Sequence, residues 1–129
     1  MKIRSVFLLL VSFFIFSCNG QTPKEIKKIE AKAFAEIIKT TQKPQILDVR
    51  TPEEFKAGHL ENSNNVNWLG DSFVKNSEKY NKTKPVFVYC RSGARSKKAT
   101  EKLQELGFRN IYELEGGFLK WDEEGLSKI

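Results

Sequence analysis

The chain is poor in the residues that small proteins use for covalent staples and metal centres: its 129 residues include two cysteines, one histidine and one methionine. Two cysteines cannot form a disulfide framework, so stability has to come from an apolar core, and this length provides one domain of ordinary size. No cluster of His, Cys, Asp and Glu has metal-ligand spacing, and neither a metal nor another cofactor is expected. Eight glycines and four prolines are too few for a fibrous or low-complexity chain, and no repeat is present. A hydrophobic share of 40% excludes a disordered one. The longest apolar run, Val6 to Phe16, is shorter than the roughly 20 residues that span a bilayer as a permanent helix.

That run has another use. Met1 to Arg4 form a short positive region before it, and Ser17, Cys18, Asn19 and Gly20 follow, which is signal-peptide anatomy. Ile15-Phe16-Ser17-Cys18 resembles the lipobox of bacterial lipoproteins, where the Cys is acylated and becomes the new N-terminus. The expected organisation is a lipoprotein signal peptide over 1–17, a polar tether over 18–25 and one domain over 26–129, anchored by lipid on Cys18 and facing the periplasm. The formal charge of +6 falls to +4 without Lys2 and Arg4. The lysines are scattered rather than interleaved with aromatic residues, which points to a solvated surface and away from nucleic acid. With no coiled-coil pattern, a monomer is expected.

Within the domain, helical and strand-like patterns alternate. Ala31, Phe34, Ala35 and Ile38 share one helical face, with Ile26 and Ile29 just before them. Gln45 to Val49 reads as a buried strand, and Thr51 with Glu54 around Pro52 predicts a capped helix ending at Gly58. Asn65 to Trp68 reads as a strand, Asp71 to Tyr80 as a polar helix, and Pro85 to Tyr89 as the central strand of a parallel sheet. Another helix carries Ala99, Leu103 and Leu106 on one face and stops at Gly107. A last strand over Asn110 to Glu113 and a short helix containing Trp121 follow Gly107. This alternation predicts a three-layer α/β domain with a mostly parallel sheet.

Cys90-Arg91-Ser92-Gly93-Ala94-Arg95-Ser96 connects the most strand-like segment to a well-marked helix. Ligand sites of open α/β sheets lie at that carboxyl end. A Cys there faces the N–H groups of its loop and the positive end of the helix, and both lower a thiol pKa from about 8.5. Gly93 lets the loop curl into an anion nest, while Arg91 and Arg95 add positive charge. An inert core thiol would have no use for two arginines and a glycine within five residues, and burying those guanidiniums without anionic partners would be costly.

The loop resembles the active-site loop of the rhodanese family of sulfurtransferases. Ile46-Leu47-Asp48-Val49-Arg50, Glu53-Glu54-Phe55 and Gly58-His59-Leu60 resemble that family's strand-helix segment, and Leu114-Glu115-Gly116-Gly117, Trp121 and Gly125-Leu126 its C-terminal pattern. The similarity spans roughly residues 26 to 128, with Glu61-Asn62-Ser63-Asn64 standing where the family more often has Pro-Gly-Ala. The resemblance implies the rhodanese-like fold and a thiosulfate:cyanide sulfurtransferase cycle. Cys90 takes the outer sulfur of thiosulfate or a similar persulfide donor and passes it to cyanide or a thiol. Arg91, Ser92, Gly93, Ala94 and Arg95 then bind the donor, while Asp48, pairing with Arg95 or Arg50, and Ser96 support the site.

His59 is expected to make a structural hydrogen bond rather than act as a base, and Trp68, Phe118 and Trp121 to be core or pocket wall. One rival reading is a phosphatase or arsenate reductase. Those enzymes place five residues between Cys and Arg, whereas four separate Cys90 from Arg95, a tighter cradle suited to one sulfur atom. The other is a catalytically silent binding module, against which an intact Cys90 and Arg95 argue.

Overall fold

The computed structural model describes residues 24–129. The expected signal peptide and Cys18 lie outside the described residues. Five strands, β1 (Glu25–Ile29), β2 (Gln45–Asp48), β3 (Ser63–Asn65), β4 (Val86–Tyr89) and β5 (Asn110–Leu114), alternate with five helices. The helices are α1 (Ala31–Thr40), α2 (Pro52–Ala57), α3 (Phe73–Ser77), α4 (Ala94–Glu105) and α5 (Gly117–Glu123). All strand pairings are parallel, in the order β1-β5-β4-β2-β3. Parallel pairing needs a crossover between successive strands, and the helices supply it.

The three-layer expectation holds, and the central strand shows why. All four residues of β4 are buried, so it has apolar side chains on both faces. Val86, Val88 and Cys90 point to one face, with Leu47, Val49, Ile111 and Phe73 of α3 and Ala99 and Leu103 of α4. Phe87 and Tyr89 point to the other, with Ala31 and Phe34 of α1 and Trp121 of α5. Phe34 meets Phe87 and Trp121 edge to face, with ring centroids 5.5 and 6.3 Å apart. At the start of α2 the capping box forms as expected: Thr51 Oγ1 accepts from the Glu54 N–H, and a Glu54 carboxylate oxygen accepts from the Thr51 N–H.

Three element boundaries differ from the sequence reading. Ile26 and Ile29 do not extend the first helix; they belong to β1, an edge strand along β5 that begins at Glu25, the last residue of the expected tether. The strand expected over Asn65 to Trp68 lies two residues earlier, because Ser63 rather than Val66 pairs opposite Ile46. Its Oγ donates to Leu60 O at 2.6 Å and lies 3.2 Å from the Tyr89 hydroxyl, a buried polar anchor that hydrophobicity does not reveal. The helix expected over Asp71 to Tyr80 contracts to five residues, since only Phe73 and Ser77 of α3 are buried.

Candidate active site

Beyond β4 the chain turns at once into α4, and Gly93 makes the turn with φ 124°, a conformation that side-chain-bearing residues rarely adopt. The Cys90 sulfur sits inside the turn, 1% exposed, and accepts from the Gly93 N–H at 3.1 Å. Burial raises the thiol pKa, but the Ser96 hydroxyl and the N–H groups of Ser96, Gly93 and Ser92 outweigh it, and the group lies below its ordinary value.

The loop is held from behind by α5. The Phe118 N–H donates to Cys90 O at 2.8 Å and the Leu119 N–H to Arg91 O at 3.1 Å. This approach depends on Gly117, with φ 60°, where a Cβ would stand 2.5 Å from Arg91 O and 2.6 Å from Cys90 O. The Gly-Gly pair before Trp121 is thus a docking device for the loop.

The residues singled out in the sequence divide between the two faces of the sheet. Arg91, Ser92 and Ala94 are exposed around the loop, Gly93 and Arg95 are half-buried, and Ser96 is buried beneath the sulfur. Ser96 Oγ lies 3.5 Å from Cys90 Sγ, where the thiol donates to it. Asp48 is not beside the thiol. It is in register with Tyr89 and on that residue's face, so the alternation of strand side chains turns it away from Cys90. Of the two arginines proposed as its partner it takes Arg50: the guanidinium Nη2 lies 2.6 Å from its carboxylate, and both residues are almost fully buried. The Tyr89 hydroxyl donates to the same carboxylate at 2.5 Å, and Arg50 donates to Gly58 O at 2.7 Å. Burial and the adjacent Asp48 carboxylate push the Tyr89 phenol well above its ordinary range.

Arg95 pairs with Glu54, its two terminal nitrogens donating to the two carboxylate oxygens at 2.7 and 2.9 Å. Chiefly through that guanidinium, the Glu54 carboxyl is held down to about 2. Arg95 therefore stands beside the loop braced by α2. His59 Nδ1 lies 2.8 Å from Phe55 O and its ring stacks on Phe55 at 3.8 Å, the structural role expected of it. Trp68 packs against Phe73, and Phe118 lies under the Arg50 guanidinium, both as walls.

Two polar neighbours of the site were missed in the sequence. The sequence marks Glu54 as a helix cap and as part of the Glu53-Glu54-Phe55 resemblance, but not as the partner of Arg95. Glu113, 2% exposed in β5, accepts from Ser96 Oγ at 2.9 Å and so lies one hydroxyl away from the Cys90 sulfur. A charged residue between Tyr112 and Leu114 in a strand is the available signal.

The sequence and the fold are similar to those of known proteins. Residues 30–124 match the family model for the rhodanese-like domain. A rhodanese-related protein from Thermoplasma volcanium superposes with a TM-score of 0.70 at 33% identity, covering 80% of this chain and 97% of that one. Thiosulfate sulfurtransferase 16, chloroplastic, of Arabidopsis thaliana is 36% identical over 90 residues, which are 62% of this chain and 75% of that protein. The adenylyltransferase and sulfurtransferase UBA4 of Scheffersomyces stipitis is 39% identical over 116 residues, 81% of this chain but 25% of that protein, so the chain spans only a quarter of that relative. With the loop, the parallel sheet and the matched residues in agreement, the chain belongs to the rhodanese-like domain family.

Proposed function

We propose that the chain is a sulfurtransferase that carries a sulfane sulfur as a persulfide on Cys90. The observation that carries this reading is the Cys90 sulfur, held inside its loop with the Gly93 N–H donating to it at 3.1 Å and its thiol lowered. The Cys90 thiolate attacks the outer sulfur of thiosulfate, the S–S bond of the donor breaks, and sulfite leaves with the bonding electrons. The new outer sulfur carries the negative charge, which the loop N–H groups and the charge of Arg91 and Arg95 offset. An acceptor thiolate or cyanide then attacks that sulfur and Cys90 leaves as thiolate. Thiosulfate is the donor to try first, because the Arabidopsis relative is named for it.

The test is intact-mass measurement after thiosulfate treatment, combined with thiocyanate formation from cyanide. The parent protein gains one sulfur and yields it to cyanide; Cys90→Ser, whose hydroxyl is not ionised near neutral pH, does neither. A parent that never gains sulfur from any donor would make the domain a binding module. Lipid anchoring through Cys18 is a separate proposal, supported by the lipobox-like Ile15-Phe16-Ser17-Cys18. Cys18→Ala then releases the protein from membranes, and a variant still retained after a high-salt wash would overturn it.

A further inference from the structure

The two hydrogen bonds that join α5 to the Cys90 loop do more than hold it in place. The Phe118 N–H donates to Cys90 O at 2.8 Å and the Leu119 N–H to Arg91 O at 3.1 Å. In a trans peptide the carbonyl and the N–H point in opposite directions. Drawing these two carbonyls toward α5 therefore turns the N–H groups of Arg91 and Ser92 the other way, into the turn that holds the sulfur. The Ser92 N–H is one of the groups that lower the thiol, beside the Gly93 N–H at 3.1 Å.

The aim of the loop thus depends on how firmly the first turn of α5 is seated. The helix has seven residues, too few to be stable by itself, and Gly116 and Gly117 bring no side chain to its entry. Phe118 is the first side chain it has. The Arg50 guanidinium lies over its ring at 4.2 Å and the Lys128 ammonium at 5.8 Å, while the Tyr89 ring stacks 6.4 Å away. Gly58 lets the chain pass close behind, since a Cβ there would stand 3.5 Å from the ring. Arg50 is itself fixed by Asp48 and by Gly58 O, and Lys128 by its ion pair with Asp122.

We propose that Phe118 is a positioning residue for sulfur transfer: its ring, seated under Arg50 and Lys128, fixes the first turn of α5 so that the loop N–H groups face the sulfur. The buried Asp48–Arg50 pair, which lies on the other side of the sheet from Cys90, then serves the site through this ring.

This inference rests on Cys90 as the sulfur carrier, and the experiment keeps the two apart. Cys90 alkylation by iodoacetamide is measured against pH, and sulfur loading from thiosulfate is followed by intact mass. Every variant retains the charged groups around the thiol, Arg91, Arg95 with its partner Glu54, and Glu113 beyond Ser96, while Asp48 faces away. Phe118→Leu stays apolar but loses the ring face on which the guanidinium rests. Its alkylation midpoint moves to higher pH, and near neutral pH the rate falls about tenfold, the equivalent of one hydrogen bond to a charged group. Sulfur loading slows with it, and Phe118→Tyr restores both. Lys128→Ala, at an exposed site, moves the midpoint the same way by less. Phe108→Leu, a core substitution before the amino end of β5, lowers stability and leaves the alkylation profile where it was. A Phe118→Leu profile that superposes on the parent's, or a Phe108→Leu profile that moves as far, overturns the role of Phe118 even where Cys90 loads sulfur normally. Should Phe118→Leu fail to fold, an unmoved Lys128→Ala profile overturns it instead. A parent that never loads sulfur overturns the function, and the alkylation profiles still decide whether Phe118 aims the loop.

Discussion

The two faces of the sheet carry polar groups of opposite design at the same carboxyl end. On the face of α1 and α5, Asp48, Arg50 and Tyr89 form a closed network in which the buried carboxylate meets a guanidinium and a phenol. On the face of α3 and α4, Cys90, Ser96 and Glu113 form an open line with two ionisable ends and no ion pair. A closed network fixes structure, since every proton and charge in it is already matched. An open line leaves the Cys90 thiol hydrogen-bonded to a hydroxyl rather than locked in an ion pair.

The largest expected contrast comes from removing one carboxylate on each face. Asp48→Ala leaves Arg50 buried without its partner and costs about 3–5 kcal/mol in denaturant unfolding. Glu113→Gln breaks no ion pair and keeps an acceptor for Ser96, so its unfolding free energy stays within about 1 kcal/mol of the parent. Comparable losses in both would show that Glu113 is as structural as Asp48. Gly117→Ala probes the support of the Cys90 loop from α5. Its Cβ meets backbone at 2.5 Å, so stability falls by about 1–3 kcal/mol and sulfur loading slows as the loop shifts. Unchanged loading would mean that the loop holds its shape without α5.

The smallest effect lies where α2 meets the loop. Glu54 is held down to about 2 from an ordinary 4.5, so it binds fewer protons folded than unfolded at acidic pH. Its contribution to stability is therefore complete above about 4.5 and is lost as pH falls toward about 2. Comparing acid titrations of unfolding midpoint, Glu54→Gln should lose less stability than the parent over that window; equal slopes would mean that the Arg95 pair contributes nothing to folding.

Much of this arrangement is legible in the sequence. The capping box around Pro52 and the Cys90 loop depend on residues adjacent in sequence, and both were placed correctly. The edge strand β1 was not, because only Ile26 and Ile29 are even half-buried along it and the exposed Lys27 and Lys28 erase the period of two. Glu113 was missed for a different reason: its proximity to Cys90 follows from which face each strand presents, a property of sheet register. The same parity separated Asp48 from the thiol, which a reading of strand ends alone could not anticipate.

The parallel sheet also sets the Cys90 turn apart from the start of the described chain. All five strands run in one direction, so Glu25 enters the domain at the edge opposite the Cys90 turn, with a strand of about 16 Å between them. The Cys90 turn and the point where the described chain begins are thus at opposite ends of the sheet.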